Sequence, residues 1–229
     1  QRSVGLRAIE LDDDDVLVGT AVTDGSQDIM LFSSEGKVVR FAESAVRAMG
    51  RTARGVRGIK LALGHSLISL VVPKEGSKIL TVSENGYGKR SETQEFPVKG
   101  RGTKGVIGMT MSERNGSLVG AEQVWDGDEM MLISNQGTAV RTRVEEVSVQ
   151  GRNTQGVRVI KTRDGEALVS VSRIAEDDID AAGPVSDLDQ QVSGGAPSDD
   201  TGIVAGDVTD RSGARGTSDS SEGDGDPAE

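Results

Sequence analysis

The residues of this sequence whose type and spacing could do chemistry are its arginines. Arg40, Arg90 and Arg141 stand 50 and 51 residues apart, and Arg51, Arg101 and Arg152 repeat that spacing, each beside a glycine. Arg54 and Lys104 share one register near them, Arg57 and Arg158 share another, and Lys89 and Arg143 flank the first series. A guanidinium is a planar fork that bonds two oxygens of a phosphate at once and never loses its charge. Were each arginine paired with an acid of its own repeat, that acid should recur in step. Glu43 lies three residues past Arg40, Glu92 two past Arg90 and Glu145 four past Arg141, so none of these keeps register. The spacing therefore predicts a row of cations on an outer edge, facing an anionic partner.

Other chemistry has little to work with. His65 is the one histidine and sits in a Gly64-His65-Ser66 turn without a recurring partner. Asp12 to Asp15 could suggest a cation site, but the equivalent turns, Leu63-Gly64-His65, Glu113-Arg114-Asn115 and Arg163-Asp164-Gly165, share no ligand set. There is no cysteine and no G-x-x-x-x-G-K-[ST] phosphate loop. Tyr87 follows a hairpin glycine and its counterparts are Lys37 and Thr138, which makes it a strand residue rather than a nucleophile. Trp125 and Met130-Met131 read as core packing.

The elements that must position the arginines are set by a repeat. Gly50-Arg51-Thr52-Ala53-Arg54-Gly55-Val56 recurs as Gly100-Arg101-Gly102-Thr103-Lys104-Gly105-Val106 and as Gly151-Arg152-Asn153-Thr154-Gln155-Gly156-Val157, with a clipped copy at Gln1 to Leu6. Each unit also carries a β-rich run, a turn and a return run. The turns are Glu35-Gly36, Asn85-Gly86 and Gln136-Gly137, a strong hairpin signal because glycine takes the positive φ that tight turns need. Two more strands are predicted after each phrase, Val56 to Leu61 with Leu67 to Val72, then Val106 to Met111 with Leu118 to Val124, then Val157 to Thr162 with Leu168 to Ile174. The leucines at 17, 67, 118 and 168 place one inserted residue between Gly105 and Leu118, in the Ser112 to Gly116 turn. Four short strands per unit, glycine at the corners and no helical period describe an all-β, propeller-like repeat in which each blade buries its faces against the next. Hairpin counting predicts three complete blades in residues 1–175, with partial material at either end.

Charge divides the chain. Residues 1–175 carry 24 Lys+Arg and 22 Asp+Glu, whereas 176–229 carry 2 and 15. The second segment is poor in large apolar residues, so it is expected to be a disordered acidic tail that could compete with an anionic ligand for the basic body. No run approaches the roughly 18 apolar residues of a membrane span. Gln1 stands where an initiator Met is expected and a repeat is already under way, which suggests a piece of a longer protein. For the partner, a curved arginine stripe without aromatic stacking groups fits bent duplex DNA better than single strands. It would follow shape rather than base sequence.

A resemblance adds to this. Asp28 to Phe41, Ser44 to Gly50, Asn85 to Arg90, and Val140 to Arg143 with Val149 to Val157 closely resemble the C-terminal domain of the A subunit of bacterial DNA gyrase. The resemblance covers residues 1 to about 175 and implies a six-bladed β-pinwheel that wraps DNA on its basic rim, of which this chain would hold the last three blades. It implies a part in ATP-dependent negative supercoiling by a type IIA topoisomerase, with the B subunit of gyrase as partner in an A2B2 complex and a cytoplasmic, nucleoid-associated setting. ATP and Mg2+ would be used by that partner and the full complex, with no cofactor, metal or catalytic residue in this fragment. The family's Gln-Arg-Arg-Gly-Gly-Lys-Gly box is absent, and Gly100 to Gly105 is its nearest relative. Alternatives are the corresponding domain of topoisomerase IV and a protein-interaction propeller. The DNA contacts expected are Arg40, Arg51, Arg54, Arg57, Lys89, Arg90, Arg101, Lys104, Arg141, Arg143, Arg152 and Arg158.

Overall fold

The computed structural model describes residues 5–176, so the expected acidic tail lies, but for Glu176, outside the described residues. Three hairpins form the frame: β1 (Asp28–Ser33) with β2 (Lys37–Ala42), β4 (Lys78–Ser83) with β5 (Tyr87–Glu92), and β8 (Glu129–Ser134) with β9 (Ala139–Arg143). Strands are numbered in chain order. Each return strand runs into a single 3-10 turn, at Glu43–Ala45, Thr93–Glu95 and Val144–Glu146. The strand before each 3-10 turn ends in extended backbone, and no side chain caps the turn.

An inner strand pairs with the first strand of every hairpin. β3 (Leu67–Val71) lies on β1, β7 (Leu118–Val124) on β4, and β11 (Leu168–Ile174) on β8, all antiparallel. Each of these pairings carries a register shift near the same place, beside Ser33, Ser83 and Leu168. A bulge there bends the inner strand and raises its twist.

The outer strands correct the sequence reading. β6 (Val106–Ile107) pairs with β2, and β10 (Val157–Arg158) pairs with β5. The strand after each glycine-arginine phrase thus completes the hairpin of the preceding repeat, not of its own. The sheets are β3-β1-β2-β6, β10-β5-β4-β7 and β11-β8-β9. Two blades are therefore four-stranded, and the third holds three strands among the described residues, where three complete blades were expected. The run at Val56 to Leu61 joins no earlier hairpin among the described residues and is reduced to one bridge, Ile59 to Thr103. Strand exchange covers the edges that β2 and β5 would otherwise leave open.

The turn glycines show the same lock. Gly36 and Gly86 have φ of 76° and 78°, and a Cβ on either would collide with the carbonyl of Met109 or Ile160, in the chain just past β6 and β10. Gly137 has the same kind of φ, 82°, but nothing packs over it.

The core lies between sheets, not within one. Met30, Phe32 and Val38 of the first sheet meet Ile79, Tyr87 and Phe96 of the second, and Phe32 and Phe96 meet edge to face at 6.4 Å. Leu80 and Val82 on the opposite face of the second sheet meet Met130, Leu132, Val144 and Val147 of the third. Because both faces of the middle sheet are covered, its first strand reads as a nearly continuous buried run. Phe32→Ala should cost about 3–5 kcal/mol by removing a buried ring from the first interface. Chemical denaturation measures this, and a loss under about 1 kcal/mol would refute the interface as a main source of stability.

Candidate nucleic-acid interface

The cations with the most regular spacing turn inward. Arg40 donates from Nε to Asp28 at 2.9 Å and pairs through Nη2 at 2.8 Å, while its Nη1 donates to the carbonyls of Thr93 and Phe96 at 2.9 and 3.2 Å. Arg90 repeats this one blade on, donating to the Val147 carbonyl at 2.6 Å, to that of Glu145 at 3.1 Å, and to Asp126. In both cases the acceptors are carbonyls of the next hairpin's 3-10 turn or the residue that closes it. Arg141 pairs with Glu129. These three arginines are held within the protein, which corrects the expectation that they form an outer row.

The acid that is missing downstream lies upstream. Asp28 stands twelve residues before Arg40 and Glu129 twelve before Arg141, diagonally across their hairpins. In the middle repeat that position is Lys78, so Asp126 arrives from the loop after β7 and serves both Lys78 and Arg90. The hydrogen bond from Lys78, followed by the Arg90 charge, holds Asp126 below the usual carboxylate range.

Lys89 is also internal, at 0% exposure. Its ammonium donates to the carbonyls of Gly151 and Arg152 at 2.8 and 2.5 Å and to Thr154 Oγ1 at 3.2 Å. It shapes the third phrase from beneath, where Val39 and Val140 occupy the corresponding positions. Desolvation pushes Lys89 down to about 8, against the opposing charge of Glu95.

The phrases themselves lie side by side. Arg101 donates to the carbonyls of Ala45 and Arg57 at 3.0 and 3.1 Å, and Lys60 N donates to Thr103 O at 2.8 Å. Arg152 donates to the Ile107 carbonyl at 2.9 Å, and Thr110 N to Thr154 O at 2.9 Å. Arg57 and Ile107 are one repeat apart, so Arg101 and Arg152 of the second arginine series are a second set of inter-repeat fasteners. The result is one hydrogen-bonded strip running through all three phrases.

What remains outward is a different set. Arg51, Arg57 and Lys104 are exposed, and their side chains make no hydrogen bond or ion pair among the described residues. Arg54 pairs with Asp12 at 2.6 Å with both side chains more than half exposed, and Arg143 only approaches Glu145 at 3.5 Å. Such surface pairs are weak and readily exchanged. Arg158 is exposed and touches Tyr87. Spacing missed Arg47, Lys60, Lys99 and Lys161, which are exposed on or beside the same phrases and whose side chains are equally without a partner among the described residues. Lys60 and Lys161 share a register with Thr110, and that was the signal available for them.

Comparison with known proteins fits this arrangement. Residues 1–24, 27–74, 77–124 and 128–175 match the family described as DNA gyrase C-terminal domain, beta-propeller. The chain belongs to that family. It is 57% identical over 175 residues to the A subunit of DNA gyrase from Pseudomonas aeruginosa, covering 76% of this chain and 19% of that protein. Against the A subunit of DNA gyrase from Escherichia coli K12 the identity is 54% over 175 residues, covering 76% and 20%. The chain thus spans about a fifth of the length of these relatives. A solved structure of the DNA gyrase A C-terminal domain superposes with a TM-score of 0.68 at 32% identity, over 75% of this chain and 58% of that one. The C-terminal domain of DNA topoisomerase IV superposes at 0.71 but is 24% identical, over 76% and 56%, and shows the fold alone. Among the described residues no helix is long and apolar enough to cross a membrane, and no group of three metal-ligating side chains converges.

Two outcomes are expected. Arg90→Ala strands two carbonyls at a blade interface and should destabilise the domain by about 2–4 kcal/mol, whereas Arg51→Ala should stay within about 0.5. Equal effects in denaturant unfolding would contradict the division between fastening and free cations. For Lys89 the folded value lies below the unfolded 10.5, so between about pH 8 and 10.5 the unfolded chain holds the extra proton. The contribution of Lys89 to stability therefore rises with pH across that window. Side-chain amine NMR should find one lysine titrating near pH 8 that vanishes in Lys89→Met, and titration of every amine near the ordinary lysine value would rule this out.

Proposed function

We propose that this chain is the DNA-wrapping part of the A subunit of a gyrase, supporting ATP-dependent introduction of negative supercoils by a type IIA topoisomerase. The observation that carries the reading is the continuous strip of three phrases with unpaired cations on it, in a chain of this family. Hydrogen bonds between successive phrases join the segments that carry the exposed Arg51, Arg57, Lys60, Lys99, Lys104, Arg158 and Lys161, so their charges are strung along one connected path. Every phosphate they neutralise releases counterions, which gives affinity that falls steeply with salt. The arginines engaged between repeats contribute rigidity to that path and do not touch the ligand. Nothing on the strip offers a base-reading constellation, so recognition follows the bending of the duplex.

Within the whole enzyme, the polypeptide containing this domain would assemble with the B subunit of gyrase as A2B2, and that partner would use ATP and Mg2+. The domain would act where the nucleoid is, in the cytoplasm. Its own residues supply binding and curvature, and strand cleavage would belong to other parts of the enzyme.

A fluorescence titration of a labelled duplex between about 50 and 200 mM salt tests the reading. Binding should weaken linearly on logarithmic axes, and the combined Arg51→Ala, Arg57→Ala, Lys104→Ala variant should lower the slope by up to about three units. A flat dependence in the unaltered protein would overturn the proposal.

A further inference from the structure

Tyr87 is the only tyrosine of the chain, stands first on β5 and is 3% exposed. Two arginines cover it. The Arg114 guanidinium carbon lies 4.7 Å from the ring centre and that of Arg158 lies 5.3 Å away, and Arg158 Nη2 donates to the phenol oxygen at 2.8 Å. Arg158 comes from β10, where it is the register partner of Tyr87. Arg114 comes from the turn between β6 and β7 that carries the inserted residue.

That turn is held in place. Asn115, at 0% exposure, donates to the carbonyls of Thr110 and Gln155 at 2.9 and 3.3 Å and accepts from Ser112 N at 2.7 Å. Asn85, in the hairpin turn below, donates to the carbonyls of Glu113 and Arg114 at 3.2 Å. Arg114 is therefore presented over the ring by a fixed loop. Hydrogen bonding from Arg114 first, and then from Arg158, holds the phenol below its ordinary range.

No carboxylate pairs with either guanidinium among the described residues, and both arginines are exposed. Two like charges drawn to one ring repel each other, and a stacked guanidinium keeps its N–H edge available for hydrogen bonds. Convergent donors with an unmet charge suit an oxyanion. The ring itself is buried and cannot stack on a base, which points to a phosphodiester and away from an unpaired nucleotide. The other blades lack the arrangement. The first sheet has Lys37 opposite Ile107, and the third has Thr138 at the position of Tyr87.

We propose that Arg114 and Arg158, seated on Tyr87, clamp one backbone phosphate of duplex DNA at the outer edge of the second sheet. The clamp rests on the DNA-wrapping reading and adds to it a single fixed contact in the middle blade, with Tyr87 as positioning residue.

The test uses the full chain, a short labelled duplex and a salt series. Arg114→Ala should weaken binding about fivefold at low salt and lower the salt slope by about one unit, and so should Arg158→Ala. Lys74→Ala, an exposed cation at the opposite end of the strands, should change neither. In Tyr87→Phe, which keeps the ring and loses the acceptor, the Arg158 Nε–Hε resonance should move toward a free side chain while Arg114→Ala still lowers the slope. In the unaltered protein the Nε–Hε resonances of both arginines should shift saturably with duplex and far less with equimolar inorganic phosphate. If the duplex binds with an ordinary salt slope that Arg114→Ala leaves intact, and the two resonances stay still, the clamp is wrong and wrapping stands. If inorganic phosphate shifts them as strongly as duplex, the site is one for free phosphate and the clamp is likewise wrong. If the unaltered protein does not bind duplex at all, both readings fall.

Discussion

A guanidinium inserted from one hairpin into the 3-10 turn of the next is the interaction on which this structure depends. Arg40 and Arg90 each join a carboxylate to two carbonyls of the following repeat, so one side chain ties three chain segments. A cation set between repeats is tolerated only where its charge and its donors are met, and the 3-10 turn and the residue that closes it supply the carbonyls, Thr93 O accepting from Phe96 N as well as from Arg40. The chain then continues the join in the backbone. Lys99 N donates to Arg40 O at 2.8 Å and Gln150 N to Arg90 O at 2.8 Å, which starts the next phrase beside the hairpin it will complete.

From that start the strand exchange follows. The phrase turns at a glycine of positive φ, Gly105 or Gly156, and its next residues join the return strand of the previous hairpin. A unit of this kind cannot close its sheet alone. Each blade needs the phrase of its successor, and the apolar faces of Met30, Phe32 and their equivalents need the neighbouring sheet. Stability is thus shared between adjacent repeats, the condition for a quasi-one-dimensional array.

The same joining divides the basic residues. Those that hold repeats together are engaged by carbonyls and carboxylates, and the outward cations of the phrases stay exposed, most of their side chains without a partner among the described residues. The two populations alternate along a few residues: Arg101 is a fastener and Lys104 is free, Arg152 is a fastener and Lys161 is free. A rigid support beneath surface cations holds them in place, as the proposed wrapping of a stiff polyanion would require.

The sequence by itself determined the hairpins, their turns, the fifty-residue period and the place of the insertion, because these are local matters of glycine φ, alternation and count. It also marked the phrases as the surface of interest, since Arg51, Arg54, Arg57, Lys104 and Arg158 do remain exposed. It could not assign Arg40, Arg90, Arg141 and Lys89. Their acceptors lie across a hairpin or in the next repeat, and in the middle repeat Lys78 stands where the other two have the acid, so the carboxylate comes from Asp126 instead. Only the tertiary structure decided which hairpin each post-phrase strand completes. A periodic sequence looks the same whether a strand pairs with its own repeat or the one before, and the choice is made by contacts that act between units.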